Sequence, residues 1–138
     1  MSKKTPIVEI ARKSDLTVQS TERISNVYRL MKSQSLAHIA VVERNEVMGV
    51  ISRKAIKQLG FGYQFDGRDD VETGMFDMLQ AKQVMEFNPP QVALSAAVGE
   101  VAALMANGAY TALPVVHEGR PVGIIDIHDI VLFLLETR

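Results

Sequence analysis

At 138 residues the chain is long enough for one compact domain or for two small motifs sharing a core. An apolar fraction of 47%, a charged fraction of 22% and a formal net charge of −1 are those of an ordinary globular protein, and exclude a global field that would draw it onto nucleic acid or anionic lipid. With no cysteine it has neither disulfides nor thiolate metal sites, and its redox compartment stays open.

The N-terminal stretch MSKKTPIVEIARKSD has lysines but no apolar run of about 7–15 residues behind them, so it does not read as a signal peptide. Residues 6–11 read as a short entry helix. Residues 17–20 then read as a strand, and Ser20 or Thr21 offers a hydroxyl cap for a helix carrying Ile24, Val27, Leu30 and Met31 on one face. Ser33, Gln34 and Ser35 end that helix. Two apolar strands follow, residues 38–42 and 47–51, joined by the polar turn Glu43-Arg44-Asn45-Glu46, and a helix closes the series over residues 53–59.

The connection GFGYQFDGRDDVETGMFDMLQ, residues 60–80, reads as flexible and acidic until Met75. From there Met75, Met78, Leu79, Lys82 and Met85 stand at helix spacing, a second entry helix. The same order then recurs: a strand at residues 91–94, a Ser95 cap, and a helix with Val98, Val101, Leu104 and Met105, closed by Gly108. Strands at residues 112–116 and 122–125 flank the turn His117-Glu118-Gly119-Arg120, and a final helix covers residues 128–136.

This recurrence is a tandem repeat. Gly49 falls on Gly123, an offset of 74 residues, and in that register Val18 meets Val92, Val27 meets Val101, Ile51 meets Ile125 and Ile56 meets Ile130. The matches are mostly apolar and the polar positions between them vary, as expected of a shared buried framework. Each copy alone is of a size at which a core is marginal, so the two are expected to pack together. The longest apolar run, residues 130–135, is far too short to span a membrane. The default expectation is a soluble cytoplasmic protein, and a start at Met1 with an end just past the second copy favours a self-standing one.

A doubled strand-helix-strand-strand-helix with LPVV, then Gly and two apolar residues, then a polar cluster ending in Asp resembles the CBS domain pair, or Bateman module. The residues that carry the resemblance are AALMANGAYTALPVVHEGRPVGIIDIHDIVLFL, residues 102–134, and RLMKSQSLAHIAVVERNEVMGVISRKAIKQL, residues 29–59. It covers essentially the whole chain. It implies an α+β fold of two β-α-β-β-α motifs packed as a pseudo-two-fold pair. The division is residues 1–60 for the first motif with its entry helix, 61–80 for the linker and the start of the second entry helix, and 81–138 for the second motif. It further implies a regulatory module that is not an enzyme, that binds AMP, ADP, ATP or S-adenosylmethionine in clefts between the motifs, and that associates as a disk-like homodimer. No other cofactor is implied, and an effector protein is left unidentified.

In the pattern that the resemblance implies, G-h-h-S/T-x-x-D supplies a hydroxyl for phosphate and an Asp for the ribose. Asp129 stands at the ribose position, where one carboxylate can accept both vicinal hydroxyls. The facing wall would come from Leu16, Thr17, Ala37, His38 and Ile39 through their backbone groups, with Arg12 and Lys13 in reach of a phosphate. A bland alternative stays open: Asp129 as a helix-start acid favoured by the macrodipole. Asp126 occupies the phosphate-side position, where a carboxylate repels phosphate, so it reads first as a helix cap. Otherwise it favours a ligand that is neutral or cationic there, or one whose phosphate is bridged by a metal. His128 reads as a helix residue beside them. The first motif departs in the opposite sense. Ser52 keeps the hydroxyl, Ala55 replaces the acid, and Arg53 and Lys54 add positive charge; Pro90, Gln91, Thr111, Ala112 and Leu113 would complete that cleft. The features of a full nucleotide site are thus divided between the copies. A structural or interaction module with degenerate clefts is the competing reading.

The remaining features read as structure. DGRDDVE, residues 66–72, lacks the ligand order of a calcium loop, and Met75, Met78 and Met85 read as helix core or a dimer seam. His38, His117 and His128 form no catalytic or metal pattern. No nucleophile elbow, phosphate-cradling glycine loop or basic aromatic patch is present, so neither an enzyme nor a nucleic-acid binder is expected.

Overall fold

In the computed structural model, which describes residues 3–59, 69–108 and 110–136, the chain forms two four-stranded sheets and six helices among those residues. After a 3₁₀ turn at Ile7–Glu9 come β1 (Arg12–Lys13), β2 (Thr17–Gln19), α1 (Ile24–Ser33), β3 (His38–Glu43), β4 (Glu46–Ser52), α2 (Arg53–Leu59) and α3 (Asp69–Met78). Then follow α4 (Ala81–Val84), β5 (Glu86–Phe87), β6 (Val92–Ala93), α5 (Val98–Ala106), β7 (Ala112–His117), β8 (Arg120–Asp126) and α6 (Ile127–Glu136). The class is mixed α+β, with the motif made twice, as the periodicities predict. The elements divide into two compact units: unit 1 holds the chain up to Asp15 together with that from Pro89 onward, and unit 2 runs from Leu16 to Asn88.

In unit 2 the sheet order is β2-β3-β4-β5, with β2 parallel to β3 and the other pairs antiparallel. Arg44 and Asn45, at φ 52° and 66°, make the left-handed pair that a two-residue hairpin needs. Ile24, Val27 and Met31, one stripe of α1, close over Ile39, Val41 and Ile51 of the hairpin and Ile56 of α2. Phe76 and Ala81 complete that core, and the Phe76 ring meets Tyr28 edge-on at 5.6 Å.

Unit 1 repeats the plan as β1-β8-β7-β6. Its core gathers Val98, Val101 and Met105 of α5, Leu113, Val115 and Ile125 of the hairpin, and Ile130 and Phe133 of α6, together with Ile7. Gly108, at φ 79°, terminates α5 as its position in the sequence predicts.

The entry segments change places. The segment before the first repeat packs into unit 1, and the segment before the second packs into unit 2. The Val98 N–H donates to the Thr5 carbonyl at 2.8 Å, and the Ile24 N–H donates to the Leu79 carbonyl at 2.8 Å, the same contact at the repeat offset with its partners crossed. Likewise β1 pairs with β8, placing Lys13 opposite Gly123, and β5 pairs with β4, placing Phe87 opposite Gly49. The matched glycines have their reason here. A Cβ on Gly123 would stand 2.3 Å from the Arg12 carbonyl oxygen, and one on Gly49 would stand 2.5 Å from that of Glu86.

This exchange places the first entry segment, which adjoins the first motif in sequence, with the second repeat in space. Periodicity says what a segment is, and the choice of sheet edge is made by long-range contacts that periodicity does not encode. It also corrects the caps. Neither α1 nor α5 has a side-chain cap: their preceding residues are Arg23 and Ala97, and the entry-segment carbonyls take the orphan N–H groups that Ser20, Thr21 and Ser95 were expected to serve. Ser20 is instead buried, with its hydroxyl donating to Glu43 at 2.7 Å. The entry helices are reduced as well. Residues 6–11 hold only the 3₁₀ turn, and the second segment breaks between α3 and α4 because Gln80 must extend to bridge Arg23, as Pro6 bridges Ala97. Residues 60–68 of the connection, including 66–68 of the acidic run, lie outside the described residues; residues 69–72 are on α3.

Candidate functional site

The junction of β8 with α6 is where the apolar strand runs out and the polar cluster begins. Asp126 ends β8 opposite Ala112, and Asp129 stands in the first turn of α6. The two are joined reciprocally: the Asp129 N–H donates to Asp126 Oδ1 at 2.9 Å, and the Asp126 N–H donates to Asp129 Oδ2 at 2.9 Å. This is a capping box built from two acids, satisfying two backbone donors at the helix start. Both carboxylates are buried. Asp129 Oδ1 faces Arg12, whose Nε lies 3.8 Å away, so β1 delivers the nearby cation. Burial raises the Asp129 carboxyl above its ordinary value, and the neighbouring Asp126 charge adds to the rise. The bond from the Asp126 N–H and the Arg12 charge pull it back in part.

In unit 2 the same junction is half made. Ser52 Oγ accepts the Ala55 N–H at 3.0 Å, and Ala55 has no side chain to return the bond. Both junctions are tied to the preceding strand in the same way, the Arg53 N–H donating to the Ala37 carbonyl at 2.8 Å and the Ile127 N–H to the Thr111 carbonyl at 3.0 Å.

The structure therefore brings Arg12, Asp126 and Asp129 together in unit 1, with Thr111, Ala112 and Leu113 alongside on the β7 side. His128 is exposed on α6, Lys13 is exposed on β1, and Gln91 is exposed ahead of β6. In unit 2, Ser52 closes on Ala55, Lys54 is exposed, and His38 begins β3 opposite Ser52. Leu16 precedes β2, and Thr17 pairs with Ala40. The side chains of Ile39 and Leu113 belong wholly to their cores, which leaves only their backbones for any other contact. Among the described residues no cluster of three or more His, Asp or Glu is placed to hold a metal ion, and no helix is long and apolar enough to cross a membrane.

Asp126 caps α6 as its sequence position suggests, but sequence reasoning missed the return bond. The Asp-x-x-Asp spacing carried that signal, since it is the spacing of a capping box. The pairing of Arg12 with Asp129 had no comparable signal, because it depends on the crossing of β1.

Two small α+β motifs, each ending in a strand-to-helix junction with a polar cap, define a tandem-repeat module. The chain belongs to the CBS domain family, whose model matches residues 7–60 and 81–136. No curated protein matches it. Solved structures share the fold at low identity. The CBS domain of a CBS domain containing membrane protein from Sphaerobacter thermophilus is 22% identical at a TM-score of 0.77, covering 94% of this chain and 88% of that one. An uncharacterized conserved protein from Pyrococcus horikoshii is 22% identical at a TM-score of 0.75, covering 100% and 97%. CBSX2, in complex with AMP, is 17% identical at a TM-score of 0.69, covering 95% and 96%.

Proposed function

We propose that this CBS pair is a regulatory module that senses an adenosine-containing ligand of the AMP, ADP, ATP or S-adenosylmethionine class. Asp129 accepts the ribose hydroxyls, and occupancy is passed on through association of two copies. The observation that carries the reading is the situation of Asp129. A buried carboxylate beside a second carboxylate is costly, and an asparagine would accept the same backbone N–H without the charge. Such costs gather at functional sites. A vicinal diol is a ligand that uses a carboxylate and not an amide, because it donates two hydrogen bonds to it. The AMP complex of CBSX2 supports the ligand class.

Melting curves in millimolar AMP, ADP, ATP and S-adenosylmethionine test this. A ligand at a hundredfold excess over its Kd adds about 2.7 kcal/mol of stability, which reads as a rise of several degrees. The rise is expected for at least one compound with the natural chain and is expected to vanish in Asp129→Asn. No rise with any of them sinks the reading. It would favour an interaction module with degenerate clefts, a reading supported by Ala55 and by the use of both Asp126 and Asp129 in capping α6.

The surface that best fits the association is the outward side of α6. Ile127, Val131, Leu134 and Leu135 are exposed there, Leu134 to 62%. At the matching positions α2 carries Arg53 and Lys57 in place of Ile127 and Val131.

A further inference from the structure

We propose that Arg12 is an exchangeable counter-cation of Asp129, and that its release by ligand sets which adenosyl compounds unit 1 accepts; this rests on the reading of Asp129 as the sugar acid. The backbone of Arg12 is fixed. It lies opposite Ile124 in the β1–β8 pair, the following Ser14 N–H donates to the Val122 carbonyl at 3.1 Å, and the bare Cα of Gly123 lets the strands close up. Its side chain is held far less firmly. It is 55% exposed, and at 3.8 Å its Nε is beyond hydrogen-bond distance of Asp129 Oδ1. The carboxylate of this pair is buried but its cation is half in solvent and too far away to be hydrogen-bonded, so the arginine side is free to exchange.

The two oxygens of Asp129 differ in what they are free to do. Oδ2 is held by the Asp126 N–H, so Oδ1 is the oxygen that an incoming hydroxyl meets, and the guanidinium stands beside it. A neutral nucleoside that takes Oδ1 displaces the cation and offers it nothing in return. A nucleotide offers it a phosphate, which a guanidinium can grip with two parallel hydrogen bonds. Asp126 opposes this by repelling phosphate, so Arg12 decides whether the phosphorylated ligand is preferred.

Calorimetric titration of the full chain with adenosine and with AMP, in the natural protein, Arg12→Gln and Arg12→Lys, tests the proposal. The natural chain is expected to bind AMP more tightly than adenosine. Arg12→Gln is expected to lower AMP affinity about tenfold or more while adenosine affinity holds or rises, so that the preference collapses; Arg12→Lys keeps part of it. A purely structural role for Arg12 would move both affinities together. If both compounds bind and their ratio is unchanged in Arg12→Gln, the counter-cation is overturned and the sugar acid stands. A natural chain that takes adenosine at least as tightly as AMP overturns it too. Binding of neither compound overturns both.

Discussion

At the scale of single residues, the Asp126–Asp129 box shows one local motif meeting two demands. As a cap it satisfies two orphan N–H groups, and as a charge pair it opposes itself. The sign of the pH dependence follows. A carboxyl raised above its ordinary 3.8 by burial binds its proton more tightly folded than unfolded, so its contribution to stability is present below 3.8 and is lost as pH rises through the raised value. Asp129→Asn is therefore expected to melt higher than the natural chain at neutral pH, with the gap narrowing as the pH is lowered. Paired melting curves between pH 4 and pH 8 (roughly the span in which buried carboxyls titrate) check it, because acids outside the Asp126–Asp129 box cancel in the difference. A gap that widens toward acid would contradict the assignment.

At the scale of elements, the exchanged entry segments decide what each unit needs in order to fold. Ile7 lies ahead of the first repeat, yet it is fully buried in unit 1, where the neighbouring Thr5 carbonyl also takes the first N–H of α5. Truncation of a buried Ile costs about 2–5 kcal/mol through lost transfer energy and the cavity left behind. Ile7→Ala is therefore expected to loosen β7, β8 and α6 more than β3 and β4, although β3 and β4 are nearer in the chain. Amide hydrogen exchange reads this directly, with protection falling first in unit 1. Equal loss across both hairpins, or loss confined to β3 and β4, would mean that the segment does not support unit 1.

At the scale of the whole molecule, two units made to one plan differ in what their closing helices expose. α2 presents lysines, whereas α6 presents Val131, Leu134 and Leu135. Like charges resist a self-contact through the first, and an apolar face has no such penalty and gains from burial. With α6 as the seam, the natural chain is expected to sediment as a dimer. Leu134→Glu with Leu135→Glu is expected to yield a monomer whose melting temperature, extrapolated to low protein concentration, is little changed, since neither side chain belongs to the core. A natural chain that sediments as a monomer at tens of micromolar removes association as the route of signalling.

The repeat, the strand-helix-strand-strand-helix order within each copy and the hairpin turns could be read from the sequence. Each rests on local periodicity or on the backbone preferences of particular residues: Ile24, Val27 and Met31 on one helical stripe, or Gly119 in a left-handed turn. The difference between the two junctions, Ser52 with Ala55 against Asp126 with Asp129, was legible too, because the register with offset 74 aligns them residue by residue. Tertiary structure alone decided which sheet each entry segment joins, what caps α1 and α5, and that Arg12 comes to Asp129. The physical reason is the same in each case. An edge strand or an uncapped helix start is satisfied by any main-chain partner that reaches it. A partner chosen for its backbone, as Thr5 is for Val98 and Arg12 for Ile124, carries no side-chain signature by which the choice could be read in advance.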